Sequence, residues 1–165
     1  MRETNQELRT PQELRTPQEL RTPQELRTAA VPRQTARRAP VLYLADDDAE
    51  LRQLVGLVLR ADGYEVHESR DGTEFLEELS VYVRRGEWAG PLDLIISDDR
   101  MPGPSGLDVL ERFREDSCET PMVVLTAFAD DETIARAAHL GAVVLRKPVD
   151  MRTLQATVHD LAPID

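Results

Sequence analysis

VLYLADDDAELRQLVGLVLRADG, residues 41–63, changes its hydrophobic period part-way along. Residues 41–45 are continuously apolar, as in a strand buried on both faces. Beyond them, Leu51, Leu54, Val55, Val58 and Leu59 follow the i, i+3, i+4, i+7, i+8 spacing of a helix with one apolar side. Gly63 marks its end. A buried strand leading into an amphipathic helix is the opening of a βαβ unit. Between the two stand three consecutive carboxylates, Asp46, Asp47 and Asp48.

The unit recurs downstream. Residues 64–69 alternate weakly as a strand, and Phe75, Leu76, Leu79 and Val83 mark a helix closed near Gly86. Residues 92–97 form the next apolar run, after which Ser105 can cap a helix carrying Leu107, Leu110 and Phe113. Residues 122–125 are a strand, and Asp130 or Asp131 caps a helix reaching Leu140 and Gly141. Residues 143–146 are the last strand, and Asp150 caps a final helix with Leu154, Val158 and Leu161. Five βα units predict an α/β domain whose parallel sheet is covered by helices on both faces. All strands then point one way, their C-terminal ends share one rim, and ligands bind there.

That rim collects chemistry. Asp46 and Asp47 follow the first strand, Asp98 the third, Thr126 ends the fourth, and Lys147 follows the fifth. Lys147 is the single lysine among 20 basic residues. An ammonium is a compact point charge on a flexible stem, whereas a guanidinium is a planar fork. Three converging carboxylates are costly in a partly desolvated cleft unless a cation neutralises them. A hard divalent ion with oxygen ligands, Mg²⁺ above all, meets that need. Lys147 and Thr126 on the opposite side suit a group with spread negative charge, such as a phosphoryl, and a carboxylate can accept one as nucleophile.

The acidic pair, Asp98 followed by M-P-G-P-S-G-L, the P-M-V-V-L-T-A run and the K-P pair together resemble the receiver domain of two-component response regulators over about residues 39–162. The resemblance implies a flavodoxin-like (βα)5 fold with strand order 2-1-3-4-5. It also implies a regulator rather than an enzyme, in which Asp98 takes a phosphoryl group from a sensor histidine kinase or exchanges one with a histidine phosphotransfer protein. Asp47, Asp98 and the backbone carbonyl of Arg100 would hold Mg²⁺, with Asp46 acting through a bound water. Thr126 and Lys147 would each contact a phosphoryl oxygen, and the Lys147–Pro148 bond would be cis. Two positions depart from the family pattern. Val144 stands where an aromatic switch residue is usual, and Asp99 where an apolar or bulky one is usual. Asp99 is expected to be a solvated loop carboxylate turned away from the pocket, and Arg100 either an exposed arginine or one reaching the phosphoryl edge.

Two other readings are open. A receiver fold that binds partners without obligatory phosphorylation would accommodate Val144. A haloacid-dehalogenase-type phosphohydrolase would use the Asp46-x-Asp48 spacing and Thr126, but it needs an acidic pair after Lys147 and leaves Asp98 unexplained.

The composition sets the class. At 165 residues, 41% apolar and 31% charged, the chain has one domain's worth of core. The net charge of −11 is uneven, because residues 1–40 hold eight Arg against five Glu while the remainder holds twelve basic and twenty-six acidic residues. Such an acidic body argues against direct nucleic-acid binding. Cys118 alone excludes a disulfide framework, and no apolar stretch has signal-peptide or membrane-spanning character, so a cytoplasmic protein without membrane attachment is expected. The hexapeptide T-P-Q-E-L-R begins at Thr10, Thr16 and Thr22. In a helix its leucines would point in different directions, and Pro11, Pro17 and Pro23 break both helix and central strand. Residues 1–40 are therefore expected to be a disordered tail and linker before a receiver domain over 41–165. With no helix-turn-helix after the last helix, a single-domain regulator acting on a downstream protein is expected. His67, His139, His159, Trp88, Arg84, Arg85 and Cys118 read as surface or packing residues.

Overall fold

The computed structural model describes residues 38–85 and 92–164. Residues 1–37 of the expected tail and linker over 1–40, together with Gly86 and Trp88, lie outside them, as do the side chains of Val83, Arg84 and Arg85. The described residues form five strands: β1 (Val41–Ala45), β2 (Glu65–Ser69), β3 (Leu92–Asp98), β4 (Met122–Thr126) and β5 (Ala142–Arg146). Five helices alternate with them: α1 (Ala49–Ala61), α2 (Gly72–Arg85), α3 (Gly106–Glu115), α4 (Asp131–His139) and α5 (Met151–Leu161). Every strand pairing is parallel and the order is β2-β1-β3-β4-β5, the flavodoxin-like arrangement. None of the described helices is long and apolar enough to cross a membrane.

Because side chains alternate across a strand, each apolar run feeds two cores. Leu42, Leu44, Leu94, Ile96, Val123 and Leu125 face one side, where Val55 and Leu59 of α1 and Leu154 and Val158 of α5 cover them. Tyr43, Ala45, Ile95, Met122 and Val124 face the other, against Phe75 and Leu79 of α2, Leu107, Leu110 and Phe113 of α3, and Ala137 of α4. Tyr43 stacks on Phe75 with ring centres 5.3 Å apart, and its hydroxyl donates to Glu78. Two expectations need adjustment. Leu54 is 47% exposed rather than packed, because the apolar side of α1 is centred on Val55 and Leu59. On β5, Val143 is 38% exposed, because an edge strand is covered only partly.

Acidic residues start most helices. Asp48, Asp130 and Asp150 accept amide N–H bonds from the first turns of α1, α4 and α5, and Ser105 forms a capping box with Asp108 on α3. The segment between β3 and α3 is held by two close approaches. A Cβ on Gly72 would lie 1.8 Å from the Pro104 carbonyl oxygen, and one on Gly106 would lie 2.6 Å from that of Asp98. Only glycine allows backbone so near, so α3 begins directly against the end of β3.

Arg114 ties together the opposite end of the molecule. Its guanidinium donates to the carbonyls of Leu140 at 3.0 Å, Cys118 at 2.5 Å and Thr120 at 3.1 Å. Three chain segments thus share one fork, which an ammonium cannot span in the same way. Arg114→Ala is expected to lower unfolding stability by about 2 kcal/mol, and Arg114→Lys to recover only part of the loss, as read from urea midpoints at unchanged slope.

Candidate functional site

The strand order turns back between β1 and β3, and the ends of those two strands carry the acids. Asp46, directly after β1, is fully buried. Its Oδ1 accepts the Asp48 N–H at 2.9 Å, and its carbonyl accepts Arg52 Nη1 at 2.6 Å. Arg52 also pairs with Glu68 at 3.4 Å, so α1 and β2 together fix the turn. Asp98 ends β3, is 6% exposed, and its Oδ1 accepts the Arg100 N–H at 3.3 Å. Asp47 is exposed. One carboxylate oxygen from each of Asp46, Asp47 and Asp98 lies within 4.8 Å of the others.

Lys147 enters from β5. Its amide donates to the Thr126 carbonyl at 2.8 Å, and the Lys147–Pro148 bond is cis, as the resemblance implies. Nζ stands 2.9 Å from Asp46 Oδ2 and 3.2 Å from Asp98 Oδ2. Asp46 Oδ2 is buried and has no aligned hydrogen-bond donor, so charge rather than direction holds that contact.

The electrostatics are unbalanced. Burial pushes the Asp98 pKa up, the Lys147 ammonium opposes this, and the Asp46 charge adds to the rise; the net shift is upward. Burial alone would lower the Lys147 pKa, but its contacts with Asp46 and Asp98 outweigh that and raise it. One ammonium thus faces three carboxylates. An all-oxygen donor set with surplus negative charge and a buried oxygen lacking an aligned donor fits a hard cation, and this cluster can bind a metal ion.

Thr126 is buried at the end of β4, the strand beside β3. Its Oγ1 accepts the Phe128 N–H at 3.0 Å. The Arg100 side chain does not turn to the carboxylates; its guanidinium carbon sits 4.4 Å from the centre of the Phe128 ring. Phe128 is 57% exposed. Sequence reasoning passed over it, although an aromatic two residues beyond a rim threonine was a usable signal. Arg52 was also missed; its cue is a position four residues past the Asp48 cap, facing back toward the acidic turn.

Asp99 requires a correction. It is 7% exposed rather than solvated, because its amide continues the sheet, donating to the Leu125 carbonyl at 2.9 Å, and its side chain is turned inward toward α3 and α4. Val144 is half-buried against the core beneath α2–α4. His67 contacts Glu65 at 3.0 Å. Among the described residues, no histidine belongs to a cluster that could share a metal ion.

Comparison with known proteins agrees with this geometry. Residues 42–159 match the family model of the response regulator receiver domain. The transcriptional regulatory protein FixJ of Bradyrhizobium diazoefficiens is 30% identical over 118 residues, 71% of this chain and 54% of that protein. PdtaR of Mycobacterium tuberculosis is 34% identical over 128 residues, 76% of this chain and 55% of its own length. The chain therefore spans about half the length of these curated relatives. Among solved structures, the receiver domain of the Francisella response regulator 1452 is 25% identical with a TM-score of 0.65, covering 74% of this chain and 96% of that one. Chemotaxis response regulator CheY4 of Vibrio cholerae is 28% identical with a TM-score of 0.62, covering 74% and 98%. With sheet order, carboxylate cluster and lysine all in agreement, the chain belongs to the response regulator receiver domain family.

Proposed function

We propose that this domain is a phosphoacceptor regulator. Asp98 takes a phosphoryl group from a phosphohistidine on a sensor histidine kinase or a histidine phosphotransfer protein, and the gain of charge alters a surface read by a downstream protein. The observation that carries this reading is Lys147 Nζ standing 3.2 Å from Asp98 Oδ2 within the acidic cluster. In the transfer, a carboxylate oxygen of Asp98 attacks phosphorus. The phosphorus–nitrogen bond of the donor breaks, and the imidazole nitrogen keeps the electron pair. The product is an acyl phosphate. Lys147 then pairs with a phosphoryl oxygen, and the Thr126 hydroxyl, whose oxygen already accepts from Phe128, donates its proton toward another. Asp47, Asp98 and the Arg100 carbonyl, with Asp46 acting through water, would hold Mg²⁺, which would supply positive charge against the transferred group.

Asp98 must be ionised to attack. Burial raises its pKa, and a cation held by the neighbouring acids would oppose that rise. The Arg100 guanidinium lies over the Phe128 ring. The receiver domain occupies residues 41–165 after a tail over 1–40, it turns over no substrate beyond its own phosphoryl group, and it works in the cytoplasm where the kinase's phosphohistidine is available. A phosphohydrolase using Asp48 is disfavoured, because Asp48 Oδ1 is engaged by the Glu50 and Leu51 amides as the cap of α1. A receiver fold that acts without phosphorylation has Val144 in its favour, since no ring stands there to turn.

Incubation with acetyl phosphate and Mg²⁺ is expected to add the mass of one phosphoryl group to the intact protein, with none added to Asp98→Asn. Equal labelling of that variant removes Asp98 from its role. Mg²⁺ at 100 times its Kd is expected to raise unfolding stability by about 2.7 kcal/mol, and Asp98→Asn and Asp47→Asn to lose most of this gain. In EDTA at neutral pH, Asp98→Asn is expected to be more stable than the parent. The sign follows from the raised folded pKa: protonated Asp98 favours folding fully below the ordinary value of 3.8, and that contribution is lost as pH rises through the folded value. The advantage of Asp98→Asn should therefore appear on raising the pH through this range.

A further inference from the structure

Asp47 differs from the other two members of the acidic cluster. Asp46 and Asp98 are buried and contact Lys147. The Asp47 carboxylate is exposed and makes no hydrogen bond or ion pair with a described residue. One of its oxygens nonetheless lies within 4.8 Å of one from each of the others. What directs it there is backbone.

Both peptide planes that flank Asp47 are tied. A peptide unit is planar and rigid, so a bond to one of its atoms orients the whole plane. The plane before Asp47 carries the Asp46 carbonyl, which accepts Arg52 Nη1 at 2.6 Å. The plane after it carries the Asp48 N–H, which donates to Asp46 Oδ1 at 2.9 Å. With both planes held, φ and ψ of Asp47 are set, and with them the direction of its Cα–Cβ bond. The second tie lies within the turn itself. The first arrives from α1 through Arg52.

Arg52 is built into its place. Its side chain is 16% exposed, and Nε stands 3.4 Å from Glu68 Oε2. Glu68 Oε1 accepts Arg60 Nη2 at 2.7 Å, and the same nitrogen donates to the Val66 carbonyl at 2.8 Å. Arg52, Gly56 and Arg60 are spaced four apart along α1 and share one side of it. A Cβ on Gly56 would lie 2.6 Å from Glu68 Oε1, so the glycine leaves room for that carboxylate between the two guanidinium groups. Arg52 and Glu68 stand behind the cluster and supply no ligand to it.

We propose that Arg52 is a positioning residue for the cation site: through the Asp46 carbonyl it keeps Asp47 aimed at the metal position, and Glu68 keeps Arg52 in place. This role rests on the reading of the acidic cluster as the Mg²⁺ site that serves Asp98. Charge and positioning act with opposite signs here. Removing a positive charge from beside three carboxylates strengthens cation binding by charge alone. Removing a group that orients a ligand weakens it.

The test is a Mg²⁺ titration of the ¹⁵N-labelled full chain at constant ionic strength, with Kd read from amide shifts around the cluster. Arg52→Ala is expected to raise Kd by about tenfold or more, and Glu68→Ala by a smaller factor. Arg52→Lys should fall between the parent and Arg52→Ala, because an ammonium does not span carbonyl and carboxylate as the fork does. Arg60→Ala, which removes the outer contacts with Glu68 and Val66, should lower unfolding stability and leave Kd unchanged. Without Mg²⁺, the three-bond HN–Hα coupling of Asp47, which reports φ, should move toward a conformationally averaged value in Arg52→Ala and stay put in Arg60→Ala. An unchanged or lowered Kd in Arg52→Ala overturns the proposal, as does an equal rise in Arg60→Ala. If Arg52→Ala does not fold, an unchanged Kd in both Glu68→Ala and Arg52→Lys overturns it instead. A parent that binds no Mg²⁺ removes the metal from the proposed function and this role with it. Failure of acetyl phosphate to label a parent that binds Mg²⁺ removes Asp98 as acceptor, while the Kd of Arg52→Ala still decides the role of Arg52.

Discussion

One ammonium facing three carboxylates is the constraint on which this structure turns. Lys147 Nζ is within 3.2 Å of both Asp46 and Asp98, and no other lysine exists in the chain. Burying a charge pair is at best a weak source of stability. Here the pair is also incomplete, since the acids outnumber the base. Burial of Asp98, with the Asp46 charge adding to it, raises its pKa and opposes folding of the ionised form, and the surplus of acids makes the cluster receptive to a cation. A bound cation would relieve that surplus.

The rest of the molecule keeps that arrangement in place. Parallel strands bring the acids and the lysine to one rim, and two buried apolar layers fix the sheet between its helices. Gly72 and Gly106 let the segment after Asp98 lie against α2 and β3 at distances a side chain would forbid. The arginines work differently from the lysine. Arg114 gathers three carbonyls, Arg136 joins two acids of α3, and Arg52 holds both the Asp46 carbonyl and Glu68. These are tasks for a fork. Reaching two carboxylate oxygens in a confined cleft is a task for a point charge, which explains why a chain so rich in arginine keeps one lysine.

Charge also divides the aspartates by duty. Asp48, Asp130 and Asp150 are helix caps, and Asp108 completes a capping box. A run such as Asp46-Asp47-Asp48 therefore contains a buried ion-pair member, an exposed oxygen donor and a cap in three successive residues. Beyond the cluster, Val144 supplies packing without a ring, and the Arg100 guanidinium lies over the Phe128 ring.

Local sequence was enough to determine the elements and their order. Continuous apolar runs, 3.6-residue spacing, and Ser105, Asp130 and Asp150 as caps are near-neighbour effects, and they are visible in single segments. Convergence of Asp46, Asp47, Asp98 and Lys147 was legible for a related reason, because parallel strands must end on one side. What no local pattern carried was the direction of individual side chains beyond the strand ends. Asp99 looked like a loop residue and is buried, because its amide extends the sheet by one hydrogen bond to Leu125. Arg100 was open to being either an exposed arginine or one reaching the phosphoryl edge; it is exposed and lies on Phe128, a residue 28 positions away. Leu54 fits the helical period and is exposed, because the neighbouring β-sheet covers only part of the apolar side of α1. Periodicity fixes which residues can share a face; only the packing of distant segments decides which of them lose contact with water.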